Sequence, residues 1–153
     1  MATPYRNRQV GWGYLIPLLV ILIPFAAASL VASGQWVLGI IVTIVMTIVY
    51  GSFATLNTVV DRGQVRVTFT GPWPRRSIPV SSIRQHEVVR NRWWHGWGIR
   101  RIPGGWMYSV WGLDAVEILY RDPKKGRDVL FRVGTNDAEG LADAITAARS
   151  NHR

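Results

Sequence analysis

The side chains best able to do chemistry lie between Arg84 and Trp111, where Arg90, Arg92, Arg100 and Arg101 are interleaved with Trp93, Trp94, Trp97, Trp106 and Trp111. An indole buries a large area while keeping one polar edge, and a guanidinium pairs with phosphate through parallel hydrogen bonds, so the combination suits an anionic headgroup surface. Trp106 and Trp111 fall on expected strands, where core packing accounts for one of them. Trp93, Trp94 and Trp97 lie in a Gly-rich loop open to lipid, to a partner or to the chain's own helix ends. Arg75 and Arg76, beside Trp73 and two prolines, form a smaller basic-aromatic loop for which a solvated face is the default. The same chemistry could stack and neutralise single-stranded nucleic acid, but no recognition motif accompanies it and no nucleic-acid partner is expected.

Signatures of catalysis are missing from the sequence. His86, His95 and His152 match no metal-ligand spacing, there is no cysteine, and neither a Gly-x-Ser-x-Gly elbow nor a P-loop occurs. Gly96, Gly98, Gly104 and Gly105 do not open a helix after a strand, so loop flexibility explains them better than a phosphate cradle. The expectation is a non-enzymatic protein with no catalytic residue, metal or cofactor.

The element that must position these groups is a run from Gln9 to Val60 without a single Asp, Glu, Lys, Arg or His. A bilayer core needs roughly 20 apolar residues per helical crossing, and the run has one polar break at Ser33-Gly34-Gln35. It predicts a transmembrane helical hairpin over residues 12–56, with helices from Trp12 to Ala32 and from Trp36 to Leu56, after a cytoplasmic N-terminal segment 1–11. Arg6 and Arg8 before the run, Arg62 and Arg66 after it and an uncharged turn place both termini on the cytoplasmic side by the positive-inside rule. Arg6, Arg8 and the Ala26-Ala27-Ala28-Ser29 stretch also resemble a secretory signal, but a second apolar stretch follows at once and favours an uncleaved anchor. Gly39, Thr43, Thr47 and Gly51, spaced by four, stack small side chains into a helix-packing face for the first helix, a second copy or another protein. No ionisable group lies at membrane depth, which argues against a pump or channel.

Beyond the run the period turns from helical to alternating. Val65, Val67 and Phe69 alternate with Arg66, Thr68 and Thr70, and strands are expected near 58–60, 65–69, 76–80, 84–90, 106–111, 115–120 and 129–133. Asn136 with Glu139 three residues on resembles a capping box for a terminal helix whose apolar face is Leu141, Ile145 and Ala148. The net charge is +9, and the residues from Asp61 onward carry 16 basic against 9 acidic groups. That excess favours an anionic neighbour.

This order of elements, with the phrases Trp97-Gly98-Ile99-Arg100, Gly104-Gly105-Trp106, Val116-Glu117-Ile118 and Val133-Gly134-Thr135-Asn136-Asp137-Ala138-Glu139-Gly140-Leu141, resembles bacterial membrane proteins with a pleckstrin-homology (PH)-like domain after two transmembrane helices. The resemblance implies a membrane α+β fold: the hairpin, then over 57–153 a seven-stranded antiparallel PH-like barrel or sandwich with a C-terminal capping helix. It further implies a multi-pass plasma-membrane protein whose cytoplasmic module binds anionic lipid or a membrane protein. The alternative is an accessory or assembly subunit of a larger membrane complex, docking or self-associating through its helices.

Overall fold

A computed structural model of the protein describes residues 4–31, 36–61, 63–71, 74–93 and 98–150. Nine strands form two sheets. The first has the order β1 (Tyr5–Val10), β2 (Thr55–Asp61), β3 (Gln64–Phe69) and β4 (Arg75–Pro79), all antiparallel. The second contains β5 (Ile83–Arg90), β6 (Gly98–Ile102), β7 (Gly105–Ser109), β8 (Asp114–Arg121) and β9 (Asp128–Gly134) in the order β5-β8-β9-β7-β6. Within it β7 runs parallel to β9. Helices α1 (Trp12–Val31) and α2 (Trp36–Ser52) pack on each other between β1 and β2, and α3 (Ala138–Ser150) closes the chain.

The alternation along β3 sets the inside of the first sheet: Val65, Val67 and Phe69 are buried while Arg66 is exposed. They meet Ile118 and Tyr120 of β8, Val129 and Phe131 of β9, and Leu141 and Ile145 of α3 in one core. At about 25 cal/mol per Å² of apolar surface removed from water, this shared core is what holds the two sheets face to face. Asp137 caps α3, its Oδ1 accepting the Gly140 amide at 3.0 Å, so the cap sits one residue after the Asn136 expected from the sequence.

The structure corrects the reading of the apolar run. Among the described residues no helix is long and apolar enough to cross a membrane. The transmembrane hairpin, the multi-pass plasma-membrane placement with cytoplasmic termini, and the resemblance to two-helix PH-like membrane proteins therefore do not hold. The physical reason lies at the far end of the expected hairpin, where residues 53–56 are turn and strand rather than helix. Gln9 and Val10 pair with Leu56 and Thr55 across β1 and β2, and the Gly11 amide donates to the Ala54 carbonyl at 2.7 Å. This ends α2 at Ser52, after 17 residues, or about 25 Å against a hydrocarbon core of about 30 Å. The expected single seven-stranded antiparallel barrel is corrected as well, to sheets of four and five strands with one parallel pairing.

Candidate functional site

The foot of α2 and the strand β6 enclose a groove of about 650 Å³, lined by Val49, Tyr50 and Phe53 on the helix side and by Ile99, Arg100 and Arg101 on the strand side. Both walls have local causes. After Ser52 the chain turns sharply, with the Phe53 and Ala54 amides donating to the carbonyls of Tyr50 and Gly51 at 3.1 and 3.2 Å, and this turn holds Phe53 under the helix. Its ring lies 5.3 Å from that of Phe69, edge to face, and Phe69 in turn lies 5.4 Å from Tyr108, which is 4.9 Å from Phe131. The first and last of these pairs are edge to face, an arrangement that attracts beyond the buried area at such separations. The groove's aromatic wall is thus the outer end of a ladder of rings crossing the core.

The opposite wall is a tight hairpin. Ile102 pairs with Gly105, and Gly104 between them has φ +84°, the left-handed value a type II turn requires at its second central residue after Pro103. A Cβ on Gly105 would lie 1.6 Å from the Leu130 carbonyl oxygen, so glycine there is what lets β7 run alongside β9. These two glycines are therefore fixed by turn geometry and close approach, not by loop flexibility.

The arginines and tryptophans noted in the sequence are distributed unevenly about this groove. Arg100 and Arg101 line it. Arg90 sits 4.0 Å from Asp114 with both side chains well exposed, a pair that contributes little. Arg92 and Trp93 are exposed just beyond β5, Trp93 at 76%. Trp94 and Trp97 lie outside the described residues. Arg75 is exposed on β4, whereas Arg76 turns inward: its guanidinium donates to the Tyr120 hydroxyl, approaches Asp122 to 4.0 Å, and lies about 6 Å from the ring centres of Tyr120 and Phe131. Arg76 thereby seals the seam between β4 and the second sheet.

In the helix-packing row, Gly39 is buried and Thr43 half-buried, while Thr47 is exposed. The Thr43 and Thr47 hydroxyls donate back to the Gly39 and Thr43 carbonyls at 2.8 Å, so neither hydroxyl is left seeking a partner. No atom lies within 4 Å of the place a Cβ on Gly51 would occupy.

Above the groove the helix pair exposes mostly apolar side chains among the described residues. Ten large hydrophobic side chains of α2, from Val37 to Tyr50, and six of α1, from Ile16 to Phe25, are more than 40% exposed, against four elsewhere among the described residues. A patch of this extent is far beyond what isolated surface hydrophobics account for.

Two further features lie apart from the groove, and the first of them carried no sequence signal. Arg132 Nε donates to Glu117 Oε2 at 2.9 Å and its Nη1 to Asn91 Oδ1 at 3.0 Å, a partly buried network that pins the residue where β5 ends. His86 is half-buried beside α3, with Nε2 3.0 Å from the Thr146 hydroxyl. Burial first, and Arg149 second, hold its pKa below the ordinary histidine value. No family model matches the chain, and no curated protein does so either.

Proposed function

We propose that the protein is a non-catalytic binding module that engages an anionic lipid surface through its apolar helix pair and the basic groove at its foot, without crossing a bilayer. The observation that carries this reading is the juxtaposition at the groove: Arg100 and Arg101 meet Tyr50 and Phe53 where a helix pair with many exposed apolar side chains joins the folded domain. Apolar side chains favour acyl chains, aromatic rings favour the boundary, and guanidinium groups favour phosphate at that same depth. The +9 charge of the chain adds a sign that neutral surfaces do not reward. Flotation of the full-length chain with vesicles tests it: recovery with anionic vesicles well above that with neutral ones at low salt supports the proposal, and equal recovery refutes it.

A second reading, an accessory subunit whose helix pair docks on another protein, is favoured by the open space beside Gly51. On that reading Gly51→Leu releases copurifying partners while the β-sheet domain stays folded. Retention of every partner by that variant counts against it.

A further inference from the structure

At the end of the molecule away from the helix pair, a second groove of about 640 Å³ is lined by Arg84 of β5, Arg121 of β8 and Arg149 of α3, with Ser81 and Asp122 at its margin. The distance follows from the strands. β2 leaves the helix foot at Thr55 and ends at Asp61, and the Val80 amide donating to the Gly63 carbonyl at 2.8 Å ties the 80–82 turn to that far end. Seven residues at about 3.3 Å each put the two grooves about 20 Å apart.

Arginines from three elements line this groove, together with the carboxylate of Asp122. Asp122 is engaged elsewhere. It is 8% exposed, its Oδ1 accepts the Lys124 amide at 2.9 Å, its Oδ2 lies 4.0 Å from Arg76, and it caps the turn between β8 and β9. Asp128 stands opposite Arg121 in the register. Even so, among the described residues no ion pair joins a carboxylate to Arg84, Arg121 or Arg149. Arg149 is oriented by its Nη2 donating to the Arg84 carbonyl at 3.3 Å, which holds the end of α3 against β5. Bringing like charges together costs energy that an anion of matching geometry returns, and a guanidinium trio offers the paired, planar donors that phosphate oxygens accept.

We infer that the groove between Arg84, Arg121 and Arg149 is a binding site for a phosphomonoester-class anion, carried either by a free small molecule or by a lipid headgroup. The site stands independently of the helix-foot groove, because no residue is shared between them. Its position on the far side of the domain allows it to be filled while the helix pair is engaged.

Calorimetric titration of the full-length chain with inorganic phosphate and with pyrophosphate tests the site. Saturable binding is expected, weakened about tenfold by Arg84→Gln or Arg121→Gln and nearly as much by Arg121→Lys, which keeps the charge but loses the paired donors. Arg66→Gln, the same charge change on the outer face of β3, should leave binding within about twofold. Arg149→Gln is expected to weaken binding as Arg84→Gln and Arg121→Gln do; if it loosens α3, the two strand variants carry the result, with unfolding midpoints confirming that they fold. Vesicles of phosphatidylcholine with and without phosphatidic acid separate the sources: competition with phosphate that disappears in Arg121→Gln identifies a headgroup, and phosphate binding without such competition identifies a free phosphoester. No saturable binding to any of these probes, or an equal loss in Arg66→Gln, overturns the inference.

Discussion

Gly105 fixes the approach of β7 to β9, because its missing Cβ is where the two strands touch. Gly105→Ala forces backbone atoms of Leu130 to move, and overpacking of this kind costs more than about 2 kcal/mol; chemical denaturation should show that loss, and a midpoint unchanged from the parent would refute the close-approach argument. Arg132 and Glu117 are each less than one-fifth exposed. Glu117→Gln should therefore destabilise by about 2 kcal/mol, and Arg132→Met with Glu117→Leu together by much less, since removing both partners strands no charge. His86 gives the pH dependence. Its folded pKa lies below the ordinary value of 6.5, so the unfolded chain takes up the proton first. Stability attributable to His86 is full above about pH 6.5 and falls as pH drops below it. His86→Gln should flatten the unfolding midpoint between about pH 7 and pH 5, and an unaltered slope there would remove His86 from the account.

Among the elements, β1 shows how a strand can be invisible in the sequence and still hold the fold. Its inward residues are polar: the Tyr5 hydroxyl donates to Asp137 Oδ2 at 2.9 Å, the Asn7 amide to Thr135 Oγ1 at 3.3 Å, and the Gln9 amide to the Trp111 carbonyl at 2.7 Å. β1 thus stitches the edge of the first sheet to the second through hydrogen bonds, and alternation of hydrophobic residues cannot reveal it. Gln9→Ala and Asn7→Ala should each cost about 1 kcal/mol, and amides of Tyr5–Val10 that pair with β2 should exchange slowly with deuterium; exchange at the rate of a free terminus would contradict the stitch. Tyr5 is held above its usual pKa, chiefly by burial. The chain accordingly loses stability as pH rises past about 10, where only the unfolded tyrosine ionises freely. By contrast, β3, β8 and β9 were legible because their inner faces, Val65 to Phe69, Val116 to Tyr120 and Val129 to Val133, alternate as half-buried strands do. The start of β2 at Thr55 and Leu56 misled for the opposite reason: following a long apolar segment, these residues fit a continuing helix as well as the strand expected only from 58 onward. Strand pairing to β1 and β3 decides the matter, and those partners lie outside any local window.

For the whole molecule, what could not be read from the sequence was assembly across distance. Arg100 and Arg101 were recognisable as basic groups, but their neighbours Tyr50 and Phe53 lie about fifty positions earlier and meet them only because α2 ends on the β-sheet domain. Arg84, Arg121 and Arg149 are equally scattered along the chain and share a groove only in the folded state. The parallel pairing of β7 with β9 is of the same kind, since it depends on one glycine and on a connection through β8. The resulting molecule has an apolar, basic-footed end and a polar, arginine-lined end, and the central claim is that the first of these meets an anionic lipid surface. The most direct test compares two variants of equal charge, Arg100→Gln with Arg101→Gln against Arg6→Gln with Arg8→Gln, the latter pair standing outward on β1, in titrations of the full-length chain with anionic vesicles. At about 1 kcal/mol per arginine at the surface, the account predicts a loss of roughly 30-fold in affinity for the groove pair and less than about threefold for the strand pair; equal losses in both, or none in either, would contradict it.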